Sequence, residues 1–202
     1  MVEIAKRGQE VLDSGEKKAL PVIIYLHGAG ESIMPNHELG RTSLSNYVSG
    51  PVIFVTPHRP AGNTWEPDAI RVLVERIITE YPADEKRLYI TGFSMGARGV
   101  WDTVCEYPNI FAAALPLAGY SSYLRASRIA HLPVWAHHGY YDEIVPFEES
   151  KKMISALIQQ GNNNAKLSAF KAQHYISDKV YSNIKVFQWL MEHTNERFDT
   201  NT

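Results

Sequence analysis

The chain of 202 residues has a single cysteine, Cys105, so it can form neither an internal disulfide nor a cysteine-built zinc site. No apolar run approaches the ~18 residues that a membrane span requires. Charge of one sign is not in excess: 20 basic residues face 22 acidic ones, for a formal net charge of −2. No Lys/Arg run, RNP-like motif or zinc-finger spacing occurs, so no nucleic-acid partner is expected. Residues 1–20 scatter their charges and lack the apolar stretch of a secretory signal, so a soluble, cytoplasmic protein is expected. Repeats, low-complexity tracts and linkers are missing as well.

The rest of the composition is that of a globular protein. With 45% hydrophobic and 21% charged residues, the chain is too apolar to remain disordered. A domain of this length buries ~70% of the surface its unfolded chain exposes and needs no covalent or metal staple. Cys105 falls within an apolar helical pattern and reads as a buried thiol.

Short apolar runs alternate with helical patterns from Pro21 to His193, which indicates a mostly parallel α/β sheet. Strands are expected at Val22 to Leu26, Val52 to Thr56, Leu88 to Thr91, Ala112 to Leu117, Val134 to His137 and Lys166 to Phe170. Their apolarity is continuous rather than alternating, as in strands covered on both faces. Helices are expected at Asp68 to Glu80, Met95 to Tyr107, Phe147 to Gln160 and Asp178 to Glu192. The expected organisation is one domain over 21–193 with about six strands, a polar arm or helix over 1–20, and a frayed tail over 194–202.

The strand ending at Thr91 runs into Gly92-Phe93-Ser94-Met95-Gly96 and then a helix. This is the G-x-S-x-G pattern in its strand–turn–helix setting. The turn must be sharp enough to project the Ser94 hydroxyl clear of the sheet, and flanking glycines let strand and helix approach without Cβ clashes. The bare pattern arises by chance in about one chain of this length in twenty. Its setting is what raises Ser94 from an ordinary loop serine to a candidate nucleophile.

The first of these strands ends in His27-Gly28-Ala29-Gly30-Glu31, a loop able to turn a backbone N–H towards the nucleophile. The N–H groups of Ala29 and Met95 are the candidate oxyanion donors. A phosphate cradle is the competing reading. It fails because no Lys-Ser/Thr follows and Ile33 occupies the position where G-x-G-x-x-G needs its last glycine. His27 itself reads as a structural hydrogen-bonding residue.

Asp142 stands in the loop past the strand Val134 to His137, at the sheet edge where such folds carry their chemistry. Glu143 and Glu148 are its rivals, the first pointing away from its neighbour and the second on the following helix. In the order Ser, Asp, His, only His174 and His193 can supply the base. His193 reads as a solvated residue at a helix C-terminus. His174 follows the last strand, and an imidazole with an ordinary pKa near ~6.5 can take and return a proton at neutral pH. Asp142 would hold its tautomer. His137 and His138 with Asp142 could suggest a metal, but adjacent strand residues face opposite ways. No metal and no cofactor are expected.

The stretches YLHGAGE (25–31), RLYITGFSMGARGVWD (87–102), FAAALPLAG (111–119), PVWAHHGYYDEIVPFEES (133–150) and VFQWL (186–190) together resemble one family. It is the carboxylesterase/phospholipase-like branch of the α/β-hydrolases, including small esterases described as predicted peptidases or as feruloyl and acetyl esterases. The resemblance spans nearly all of the chain from Pro21 to His193. It implies a minimal single-domain α/β-hydrolase fold without a cap, a triad of Ser94, Asp142 and His174, and oxyanion donors at Ala29 and Met95. Two positions depart from the pattern. Ala97 stands where relatives often have a second glycine, and Gln173 precedes His174 where glycine is usual. The N-terminal strands of larger relatives have no counterpart in the pattern.

Only Tyr120 to Leu132 separates the fourth expected strand from the fifth, too little for a folded lid, so an open, shallow site is expected. Trp65, Tyr120, Tyr141 and Tyr175, with Tyr123 and Tyr140, are expected on loops at its rim as substrate contacts. The expected function is cleavage of small-molecule carboxylic esters through an acyl-enzyme. Thioesters, lysophospholipids or peptides on the same triad form one alternative, and a catalytically silent binding module another.

Overall fold

The structure, a computed structural model, describes residues 2–4, 19–30, 50–59, 62 and 64–200. Seven strands form one sheet: β1 (Val2–Ile4), β2 (Leu20–Leu26), β3 (Ile53–Val55), β4 (Ala83–Phe93), β5 (Ala113–Leu117), β6 (Val134–Gly139) and β7 (Ala165–Phe170). Their spatial order is β1-β3-β2-β4-β5-β6-β7. Six of them, β2 to β7, are parallel, and β1 pairs antiparallel with β3 at the edge. After β3 the chain crosses β2 to enter β4, so the winding direction reverses between β2 and β4. Their C-terminal ends mark the switch point, where open α/β sheets bind ligands.

Among the described residues, five α-helices cover the sheet: α1 (Pro67–Glu80), α2 (Met95–Glu106), α3 (Phe147–Gln159), α4 (Ser177–Tyr181) and α5 (Ile184–Met191). In α1, Ile70, Val74 and Ile77 form the buried stripe, the spacing of one helical face. Pro67 opens it, and Tyr81 is extended at its end, as a residue before proline tends to be. Gly161, at φ +86°, follows α3 in the left-handed region that favours glycine. Alternation along β2 divides the core in two. Val22, Ile24 and Leu26 join the cluster that includes α1, α2 and α3, whereas Ile23 and Tyr25 join the one that includes α4 and α5. No helix among the described residues is long and apolar enough to cross a membrane.

Four features differ from the sequence expectations. Residues 2–4 pair as a strand rather than an arm, because an edge strand needs only backbone groups and leaves no apolar signature; residues 5–18 of the expected arm lie outside the described residues. The expected helix Asp178 to Glu192 is broken after Tyr181. Asn183 breaks it: its side chain accepts the Lys185 N–H at 3.1 Å and caps a new helix. The tail after His193 is docked rather than frayed. Asn195 is buried, donates its backbone N–H to Lys86 at 2.8 Å and its side-chain N–H to the Asn109 carbonyl at 2.6 Å. Phe198 packs on the core beyond it. His193, expected in solvent, is half-buried, with its ring edge-on to Trp189 and the centroids 4.8 Å apart.

His137 is buried in the core. Its ring lies between Trp135 and Phe170, with centroids 4.8 and 5.8 Å away. Neither ring nitrogen has a hydrogen-bond partner. Burial, with the Lys166 cation adding to it, pushes its pKa down to about 3 from 6.5. The unfolded chain therefore binds a proton between these values that the folded chain refuses, so stability is complete above pH 6.5 and is lost as pH falls towards 3. His27, His131, His138 and His193 are lowered in the same direction, first by burial. Replacing His137 by Phe is expected to remove about 2 kcal/mol of the stability lost between about pH 7 and pH 5. Urea midpoints of both proteins at the two pH values measure it; equal pH dependence would refute it.

Candidate active site

Ser94 occupies the turn between β4 and α2 with φ 56° and ψ −115°. A non-glycine residue in such a region costs of order 1–3 kcal/mol, and active sites are where such strain is tolerated. The turn is held on both sides: the Ser94 N–H donates to Leu117 at 2.9 Å, and the Arg98 N–H donates to the Ser94 carbonyl at 3.0 Å. The flanking glycines are required by contact. A Cβ on Gly96 would lie 1.8 Å from the Leu26 carbonyl oxygen, and one on Gly92 would lie 2.7 Å from the Gly96 carbonyl. The start of the β2 loop is thereby pressed against the nucleophile turn.

The loops after β6 and β7 are tied to each other before they reach Ser94. Tyr140 N–H donates to Phe170 at 2.7 Å and Tyr141 N–H to Ala172 at 3.0 Å. Gly139 permits the approach, since a Cβ there would meet the Gln173 carbonyl oxygen at 2.0 Å. The result is a chain of bonds. The Ser94 hydroxyl faces His174 Nε2 at 2.8 Å, and His174 Nδ1 faces Asp142 Oδ2 at 2.7 Å. The other carboxylate oxygen, Oδ1, accepts the N–H groups of Ile144 at 2.9 Å and Val145 at 2.8 Å. Asp142 and His174 are both buried, and the Phe93 ring packs against His174 with centroids 4.9 Å apart. Glu143 and Glu148 are exposed.

Three of the expected site residues, Ser94, Asp142 and His174, are thus brought together. Met95 begins α2, and Ala29 lies exposed in the turn after β2. His27 ties that turn down: its Nδ1 bonds the Gly28 carbonyl at 2.8 Å, and its Nε2 accepts the Arg59 N–H at 2.9 Å. Tyr120, Tyr141 and Tyr175 are exposed, the last by 79%. Tyr120 accepts a hydrogen bond from Arg98 at 3.2 Å. Trp65, expected at the rim, is instead buried. Its indole N–H donates to the His27 carbonyl at 3.0 Å, and its ring fills the space above Gly99, where a Cβ would come within 2.5 Å. This large aromatic, two residues before α1, supports the β2 loop from below rather than meeting a ligand. Gln173 is exposed. Phe93, a variable position of G-x-S-x-G, escaped the sequence reading, and His138 entered it only as a rejected metal ligand. The spacing His138 to Asp142 was its only available signal for the latter.

A topological switch point, a strained serine between strand and helix, and a β5–β6 connection holding only the 3-10 turn Tyr123–Ile129 define an α/β-hydrolase fold with no cap between β5 and β6. Residues 66–191, more than half of the chain, match the phospholipase/carboxylesterase family. The chain belongs to that family. Among curated proteins it is 24% identical over 137 residues to the bifunctional acetylxylan esterase/xylanase XynS20E of Neocallimastix patriciarum, covering 64% of this chain and 20% of that protein. It is 27% identical over 123 residues to poly(3-hydroxyalkanoate) depolymerase C of Paucimonas lemoignei, covering 52% of this chain and 29% of the other. The chain therefore spans less than a third of the length of these relatives. A crystal structure of a thermostable esterase superposes with a TM-score of 0.81 at 25% identity, over 88% of this chain and 56% of that one.

Proposed function

We propose that this protein is a serine esterase that cleaves carboxylic esters of modest size through an acyl-enzyme on Ser94. The observation that carries the reading is the unbroken run of contacts from Asp142 through His174 to Ser94, at 2.7 and 2.8 Å. In this reading His174 Nε2 accepts the Ser94 proton as Oγ attacks the ester carbonyl carbon, and Asp142 stabilises the imidazolium. The oxyanion forms towards the N–H groups of Ala29 and Met95; losing one such donor costs about 3 kcal/mol of transition-state stabilisation. The imidazolium then protonates the leaving alcohol, and water repeats the sequence to release the acid. No metal or cofactor enters these steps.

The short β5–β6 connection supports an open site, and exposed Tyr120, Tyr141 and Tyr175 lie on the loops around it. The relative XynS20E is named an acetylxylan esterase, which supports ester over amide as the scissile group. A fluorophosphonate probe is expected to label the protein once, at Ser94, as mapped by mass spectrometry. In a panel of p-nitrophenyl esters, thioesters and peptides, short acyl esters are expected to give the highest kcat/KM. An unlabelled protein would return the silent-module reading, and a steep preference for long acyl chains would remove the open site.

A further inference from the structure

We propose that His138 is a positioning residue of the active site, donating its Nε2–H to Asp142 Oδ2 and so sharing that oxygen with His174. The inference rests on the esterase reading above. His138, the residue before the last of β6, has its side chain fully buried, and its Nε2 lies 3.2 Å from Asp142 Oδ2 and 2.9 Å from the Val145 carbonyl oxygen. Its Nδ1 lies 2.7 Å from the Ser150 hydroxyl on α3.

These contacts decide the tautomer. With the proton on Nδ1, the Nε2 lone pair would face two oxygens, one of them a carboxylate, with no hydrogen between them. With the proton on Nε2, that N–H is shared between Val145 and Asp142, and the Ser150 hydroxyl donates to Nδ1. Ser150 also lies 3.3 Å from the Gly119 carbonyl, but the shorter contact takes its one proton. A doubly protonated ring is disfavoured: burial lowers the His138 pKa, and the nearby His174 acts in the same direction against the pull of Val145 and Asp142.

With that tautomer, the buried carboxylate is saturated. Oδ1 receives the Ile144 and Val145 N–H groups, and Oδ2 receives His174 and His138. A buried anion has to be satisfied in this way. The fourth donor fixes the carboxylate plane and draws charge away from the oxygen that faces His174. Ser150, His138, Asp142, His174 and Ser94 thus form one continuous path from α3 to the nucleophile.

The test uses the full chain. Two-bond nitrogen–proton NMR of histidine-labelled protein is expected to place the His138 proton on Nε2 from about pH 6 to pH 9. A proton on Nδ1 would overturn the proposal. His138→Leu is expected to lower kcat per fluorophosphonate-titrated site about tenfold, since a hydrogen bond to a charged group is being removed, with KM within about twofold. Loss of the donor leaves more negative charge before His174, so the acid limb of kcat/KM should move to higher pH by about half a unit. His138→Gln, which can place an amide N–H near the same point, should recover most of both effects. A His138→Leu enzyme with unchanged turnover per titrated site and an unchanged profile would refute the role. If that variant is insoluble, Ser150→Ala, expected to lower turnover about two- to threefold, and the wild-type tautomer decide. Failure of the wild type to be labelled at Ser94 would instead strike the esterase reading, leaving the tautomer measurement to stand alone.

Discussion

Ser94→Ala is expected to lower kcat on short acyl esters by about six orders of magnitude, the scale on which a triad serine acts. KM should change little, because the hydroxyl contributes to bond making rather than to holding the ester. The variant should remain folded. Ser94 holds its turn through its backbone, by the bonds to Leu117 and Arg98, and alanine keeps both. A β-carbon is present in either residue, so the strain of φ 56° is unaltered. Only the 2.8 Å contact to His174 is lost. The residual rate above that of water should be about a thousandfold, from the oxyanion donors and binding alone. Burst kinetics should vanish with the acyl-enzyme. A variant that retains more than about a hundredth of the wild-type kcat would mean that Ser94 is not the nucleophile.

Asp142→Asn is expected to lower kcat at neutral pH by about four orders of magnitude with little loss of fold. The local geometry dictates how. Oδ1 accepts two backbone N–H groups, from Ile144 and Val145, so the amide oxygen of asparagine has to take that place. Its NH2 is then forced towards His174 Nδ1, which must accept. The imidazole proton moves to Nε2 and points at the Ser94 hydroxyl, leaving no base to receive the serine proton. The same NH2 also meets the His138 N–H where a carboxylate oxygen stood. Rates measured from about pH 6 to pH 10 on titrated enzyme check the expectation. A fall of less than about tenfold would show that Asp142 does not govern the tautomer.

The sequence pattern located most of the framework because strands and helices are marked by local periodicity. Val22 to Leu26 and the stripe Ile70, Val74, Ile77 each record in a few residues which face is covered. The Ser94 turn was legible for a related reason. Its glycines answer to contacts with the neighbouring Leu26 backbone that alanine could not tolerate. The loop past the strand Val134 to His137 then offered Asp142, and chain order narrowed the base to His174 or His193. Trp65 was misread because loop position says nothing about which way an indole turns, and here the His27 carbonyl and the space above Gly99 decide it. Residues 2–4 were missed because pairing at a sheet edge is made by backbone groups, and the docked tail because Asn195 is held by Lys86 and Asn109.

By itself, then, the amino-acid order determined the parallel α/β architecture, the turn that presents Ser94 and the few residues able to serve beside it. Only the tertiary structure decided that segments 80 and 32 residues apart meet at hydrogen-bonding distance, that Trp65 faces inward and that His138 reaches the carboxylate. The reason is physical. Backbone periodicity and turn strain are set by neighbours along the chain, whereas the direction of a loop side chain is set by whatever packs against it.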